Sequence, residues 1–140
     1  MKRYIAEDWR FQLLLNSSQK SKRDILIVED DADLREVVSS ILLNEGYGVR
    51  TAANGVEALE DLRVRSRPCM VLLDLMMPVM DGWQLLETLR ADQSLPDVSV
   101  IVTSAAPSGD LSGVTHVLRK PYSLDGLLSL VKEHCQTFAA

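Results

Sequence analysis

The sequence predicts an α/β domain, a doubly wound parallel sheet with helices on both faces. Two short, wholly apolar runs, Ile25-Leu26-Ile27-Val28 and Met70-Val71-Leu72-Leu73, each end abruptly in carboxylates. Runs of this kind read as strands buried on both sides, as in a parallel sheet. Segments with apolar residues at helical spacing alternate with the strand-like runs. Alternation of that kind makes parallel βαβ units in three layers. Ligands of open parallel sheets bind beyond the carboxyl ends of the strands. Asp74, directly after the second run and followed by a loop closed by Pro78 and Asp81-Gly82, therefore stands where such a protein does its chemistry.

The first run opens at Asp24 and ends in Glu29-Asp30-Asp31. Asp33, with Glu36 three residues on, reads as a helix N-cap with its capping partner. Leu34, Val37, Val38, Ile41 and Leu42 give that helix one apolar face, and Gly46 fits its C-terminal stop. Residues 48–52 fit a short strand. Asn54 with Glu57 repeats the cap pattern before Val56, Leu59 and Leu62; Arg63, Arg65 and Arg67 favour the negative helix end, and Pro68 stops it. After the Asp74 strand, Asp81 caps a helix carrying Leu85, Leu86 and Leu89, ending near Ala91. Residues 98–103 and 114–118 read as strands. Ser123 caps a last helix with Leu124, Leu127, Leu128, Leu130 and Val131.

One crossover is cut down. Nine residues, Ala105 to Gly113, separate Ser104 from Val114, with one Pro and two Gly among them. A parallel crossover normally takes a dozen or more residues and a helix. The helix of this crossover is expected to be shortened or missing.

Composition narrows the function classes. The chain has 140 residues, 46% hydrophobic and 25% charged, which fits one globular domain. Its net charge of −5 argues against direct DNA binding, since phosphate contacts need clustered Lys and Arg. No apolar run approaches the roughly 18 residues of a membrane span. Cys69 and Cys135 follow no metal or redox spacing and read as buried thiols in a reducing cytoplasm. Residues 1–23 stand apart as a basic extension, with Lys2, Arg3, Arg10, Lys20, Lys22 and Arg23. A short helix over 4–15 with a polar linker after it fits this segment, which reads either as a mobile leader or as a helix docked on the domain or on a second copy.

Polar groups follow four strands: Glu29 and Asp30 the first, Asp74 the third, Thr103 and Ser104 the fourth, Arg119 and Lys120 the fifth. Three carboxylates at one sheet edge raise one another's pKa values unless a cation sits among them. Oxygen ligands suit Mg²⁺, with Mn²⁺ as the alternative ion. A lysine and a hydroxyl nearby supply the charge and the donor that a phosphoryl group needs. The set describes phosphoryl transfer with an aspartate as nucleophile.

In these motifs the sequence resembles the receiver domain of bacterial two-component response regulators, the CheY-like superfamily. The residues that carry the likeness are Ile25-Leu26-Ile27-Val28-Glu29-Asp30-Asp31, Leu72-Leu73-Asp74-Leu75-Met76-Met77-Pro78-Val79-Met80-Asp81-Gly82, Val100-Ile101-Val102-Thr103-Ser104-Ala105 and Lys120-Pro121-Tyr122. The separations of 44 residues from Asp30 to Asp74 and 30 from Asp74 to Ser104 match the family's. The resemblance covers residues 24–138 and implies the flavodoxin-like strand order 2-1-3-4-5. It implies that Asp74 is the phosphoacceptor, served by a sensor histidine kinase or phosphotransfer protein. Glu29, Asp30, Asp74 and the backbone carbonyl of Met76 would hold Mg²⁺. Lys120, followed by a bond to Pro121 that is often cis, would pair with the phosphoryl oxygens. Ser104 would be the switch hydroxyl, with Thr103 turned to the other face.

Some residues have plainer readings. Asp81 is expected to be a cap, Asp31 a solvated neighbour, His116 and His134 surface groups, and Trp83 half-buried packing. Two departures from the family pattern fall on its output side: Val117 replaces a common aromatic, and the crossover before the last strand is short. Phosphorylation chemistry is thus expected to be kept while readout differs, with residues 4–15 in a rebuilt partner surface. With the sequence ending at Ala140, the expectation is a stand-alone receiver that acts on an unknown downstream protein, not a classical enzyme, and a homodimer is compatible with it. The alternative is a pseudo-receiver that binds partners without phosphorylation. A metal-dependent phosphohydrolase would want a carboxylate two residues after Asp74, where Met76 stands.

Overall fold

The computed structural model describes residues 24–135. Five parallel strands run in the order β2-β1-β3-β4-β5: β1 Asp24–Val28, β2 Gly48–Ala52, β3 Met70–Asp74, β4 Val100–Ser104 and β5 His116–Arg119. Four helices complete the described residues: α1 Ala32–Asn44, α2 Gly55–Val64, α3 Gly82–Ala91 and α4 Leu124–His134. The doubly wound fold and its strand order are those expected. Residues 1–23, with the expected helix over 4–15, and residues 136–140 lie outside the described residues.

Strand alternation splits the core into two layers. Leu26, Val28, Val71, Leu73, Val100 and Val102 pack against Ala58, Leu59 and Leu62 of α2 and Leu85 and Leu86 of α3. Ile25, Ile27, Met70, Leu72 and Ile101 pack against Val38 and Leu42 of α1 and Leu127 and Val131 of α4. β3 and β4 are buried at all five positions. That is why both read as continuous apolar runs rather than as alternating ones.

No helix lies between β4 and β5, as the short crossover required. The loop is instead fastened by side chains. Trp83 Nε1 donates to the Ser108 carbonyl at 2.7 Å, and Arg90 pairs with Asp110 at 2.9 Å. Gly109, with φ of 79°, leaves room for the indole; a Cβ there would lie 2.8 Å from Trp83 Nε1. Trp83 is packing, as expected, and with Leu111, Val114 and Val117 it covers the core that a crossover helix would cover.

Three readings need correction. The N-cap of α1 is Asp31, not Asp33: Asp31 is extended and its carboxylate accepts from the N–H groups of Asp33 and Leu34. The helix starts one residue after Asp31, so Asp33 falls in the first turn, where its charge favours the dipole. Strand β4 starts at Val100 rather than 98, and β5 occupies His116–Arg119 rather than 114–118. Cys69 and Cys135 are not thiols but a disulfide. The other caps fall on Asn54, Asp81 and Ser123, as expected.

One polar network sits inside the fold. The Arg50 guanidinium, buried on β2, donates to Asp61 at 2.7 Å and to the Ser66 carbonyl at 2.9 Å, and lies 3.4 Å from Asp24. It ties the start of β1 to the end of α2.

Candidate phosphoacceptor site

The register sets the site. Val28 pairs with Leu73, Asp74 pairs with Thr103, and Ser104 pairs with Arg119. The residues that follow β1, end β3 and β4, and follow β5 therefore meet at one sheet edge. Oxygens of Glu29, Asp30 and Asp74 lie within 4.8 Å of one another. Lys120 reaches across from β5, its Nζ 2.7 Å from Glu29 Oε1 and 3.5 Å from Asp74 Oδ1. Glu29 and Asp74 are buried, whereas Asp30 is exposed. The Lys120–Pro121 bond is cis.

Electrostatics follow from that crowding. Burial first, then the charge of Glu29, raises the Asp74 carboxyl to about 7, against the opposing pull of Lys120 and a Met76 N–H. Burial pulls the Lys120 ammonium down, but the hydrogen bond to Glu29 and the charge of Asp74 outweigh it and leave it raised. Tyr122, beside the site, is raised chiefly by burial. One cation among three carboxylates leaves a negative excess. This oxygen-only donor set, short of positive charge, fits Mg²⁺.

The loop after Asp74 is rigidly fastened. Leu75 and Met77 turn into the core, while Met76 and Val79 are exposed, 65% and 79%. The Gly82 N–H donates to the Leu75 carbonyl, and the Gly55 N–H donates to the Met80 carbonyl, tying the loop to α3 and α2. Gly82 is required by close approach: a Cβ would lie 2.6 Å from the Asp74 carbonyl oxygen. Asp81 is the cap that starts α3, in a capping box with Gln84. Val79 has φ of 70°, a left-handed conformation that a β-branched residue adopts only at a cost.

Ser104 is buried at the end of β4, where its Oγ accepts from the Ala106 N–H at 3.2 Å, leaving the hydroxyl proton available to donate. Thr103, the register partner of Asp74, lines a small cavity with Ile27, Glu29, Leu34, Val38 and Tyr122. His116 is exposed at the far end of β5, away from the cluster. One residue escaped sequence reading. Arg35, on the first turns of α1, donates from Nη1 to the Glu29 carbonyl oxygen at 2.7 Å and so fixes the backbone that carries the acidic pair. Its six-residue distance from Glu29 was the only available signal, and it does not distinguish a local clamp from a solvated helix residue.

A buried carboxylate at a sheet edge, two further acids and a lysine define the class of phosphoacceptor switches built on open parallel sheets. The chain belongs to the response regulator receiver domain family, whose model matches residues 25–132. It is 34% identical over 116 residues to the DNA-binding response regulator MtrA of Mycobacterium leprae, covering 79% of this chain and 50% of that one. Among solved structures it is similar to the response regulator TrrA of Thermotoga maritima in complex with Mg²⁺ and BeF (TM-score 0.69, 30% identity, 79% of this chain and 97% of that one). It is also similar to the CheY-like receiver domain protein of Methanospirillum hungatei (TM-score 0.71, 30% identity, 79% and 91%). The chain spans about half the length of the curated relatives it matches.

Proposed function

We propose that the chain is a phosphorylation switch in which Asp74 takes a phosphoryl group from a sensor histidine kinase or phosphotransfer protein. The observation that carries this reading is the placement of Lys120 Nζ between Glu29 and Asp74 at the ends of three strands. Glu29, Asp30, Asp74 and the Met76 carbonyl would hold Mg²⁺, with Mn²⁺ able to take its place. When bound, the ion supplies positive charge to the oxygens of the entering phosphoryl group.

The chain's own groups do the rest. Asp74 attacks through an ionised carboxylate oxygen, which its environment disfavours until more positive charge arrives. Lys120 is placed to pair with a new phosphoryl oxygen in place of Asp74, and the Ser104 hydroxyl to donate to another. The 30-residue spacing from Asp74 assigns the switch hydroxyl to Ser104 rather than to Thr103. Receiver domains are phosphoacceptor switches rather than classical enzymes, and output here runs through protein contacts. The charge of −5 favours a protein partner over DNA. Partnership with a histidine kinase places the reaction in the cytoplasm. The receiver unit spans 24–138, and residues 1–23 form an extension to it.

The test is intact-mass measurement after incubation with Mg²⁺ and a small phosphodonor, beside Asp74→Asn and a chelator control. A single phosphoryl adduct needing both Asp74 and metal is expected. A folded protein that forms none would instead be an interaction module working without phosphorylation.

A further inference from the structure

The phosphorylation site leaves unused a second reactive feature, at the opposite end of the sheet. Cys69 and Cys135, the two cysteines of the chain, are 66 residues apart and joined by a disulfide with a Cα–Cα distance of 5.5 Å. Cys69 directly precedes β3, and its N–H donates to the Asp24 carbonyl at 2.8 Å. Cys135 is the C-cap of α4, and its N–H donates to the Val131 carbonyl at 2.7 Å. The bond therefore fastens the last turn of α4 to the entry of the central strand. Asp74 lies at the other end of that strand, roughly 16 Å away at about 3.3 Å per residue.

We propose that this disulfide is a reversible clasp, opened by small dithiols and closed by small disulfides, that sets how firmly the end of α4 is held without touching the phosphoacceptor site. Both redox forms fit the fold. Cys69 Sγ lies 3.3 Å from the Asp24 carbonyl oxygen, so the thiol formed by reduction has an acceptor in place. Cys135 sits in the apolar layer of Leu127 and Val131, where a thiol packs as a small hydrophobe. Those two leucine and valine anchors hold α4 on the sheet whether or not the sulfurs are joined.

Exposure decides where the exchange begins. Cys69 is partly exposed and Cys135 only 2% exposed, so an incoming thiolate meets the Cys69 sulfur. Attack there breaks the disulfide, and Cys135 leaves as a thiolate that takes up a proton. The second thiolate of the reductant then attacks its own sulfur bound to Cys69, and Cys69 leaves and is protonated. Two electrons and two protons pass to the protein, and the dithiol departs as its cyclic disulfide. In a reducing compartment, a disulfide that persists or turns over is typically a redox-sensing one.

The experiment uses the full 140-residue chain, equilibrated with glutathione disulfide or with dithiothreitol. Thiol alkylation read by intact mass should show no labels after the first treatment and two after the second. Reduced protein should keep its circular dichroism and melt roughly 5–15 °C lower, given the loop the bond closes. Amide exchange should rise at least tenfold in residues 132–135, with no change at Glu29 or Asp74. Cys135→Ser, kept free of glutathione disulfide so that Cys69 stays a thiol, should match the reduced wild type and not change with dithiothreitol; if it does not fold, Cys69→Ala and the reduced wild type give the same reading. Two labels after oxidation would overturn the proposal. So would equal melting and exchange in both states, or unfolding on reduction, which would make the bond a permanent staple.

Discussion

Replacing Asp74 by Asn removes one negative charge from the carboxylate cluster while keeping the side chain's shape. In the metal-free protein this should stabilise the fold, and by an amount that depends on pH. The Asp74 carboxyl is raised from 3.8 to about 7. At about 1.4 kcal/mol for each tenfold change in proton affinity, the ionised form costs the folded state at most about 4 kcal/mol. Lys120 loses a partner at 3.5 Å in the variant, so a net gain of about 2 kcal/mol is expected. The sign follows from where the proton sits. Below about pH 4 Asp74 is protonated in both states and the substitution changes little. Between about 4 and about 7 the unfolded chain releases the proton and the folded protein keeps it, so the wild type loses stability as pH rises; above about 7 the loss is complete. Thermal melts in a chelator should show nearly equal midpoints near pH 4 and a variant melting about 8 °C higher near pH 8. Adding Mg²⁺ should close that gap by stabilising the wild type. A variant no more stable than the wild type at high pH, or a gain independent of pH, would refute the reasoning.

The remaining predictions concern the groups around the cluster and the scaffold behind it. Lys120→Met leaves Glu29 buried beside two other acids and should cost about 2–3 kcal/mol in chemical denaturation without metal, with part recovered on adding Mg²⁺. Arg50→Met strands Asp24 and Asp61 and should cost about 3 kcal/mol, most of it recovered by adding Asp24→Asn and Asp61→Asn. Gly82→Ala forces a Cβ against the Asp74 carbonyl oxygen and the Leu75 Cα, at 2.6 and 2.7 Å, and should cost about 3 kcal/mol in the same assay. Val79→Gly relieves the left-handed backbone and should raise stability by about 0.5–1 kcal/mol, the rest being offset by glycine's unfolded-state entropy.

The parts of the fold that were legible in the sequence are those where burial is one-dimensional. Ile25 to Val28 and Met70 to Leu73 are buried at every position, so their composition alone marks them. The caps at Asn54, Asp81 and Ser123 each have one candidate oxygen at the right place. Around α1, Asp31 and Asp33 both qualify, and only backbone conformation decides between them. Carboxylates at strand ends could be gathered on paper because parallel strands all point the same way. What stayed hidden depends on distances between elements that no spacing encodes. The 66 residues between Cys69 and Cys135 say nothing of a 5.5 Å approach, and each cysteine alone looks like core. Nothing in the sequence marks Arg50 beyond its place in a short strand, yet it is enclosed by carboxylates from two other elements. Arg35 is another case, visible only once α1 is folded back over Glu29.

The shortened connection between β4 and β5 also bears on the order in which the chain assembles. Ile101 pairs with His116, 15 residues along, whereas Ile25 of β1 must find Met70, 45 residues along. Closing the shorter loop costs about 1 kcal/mol less in chain entropy. A connection held by Trp83 and Arg90 rather than by its own helix also needs no separate helix nucleation. The missing crossover helix thus makes β4–β5 the shortest-range pairing of the sheet, and the one whose closure costs least chain entropy.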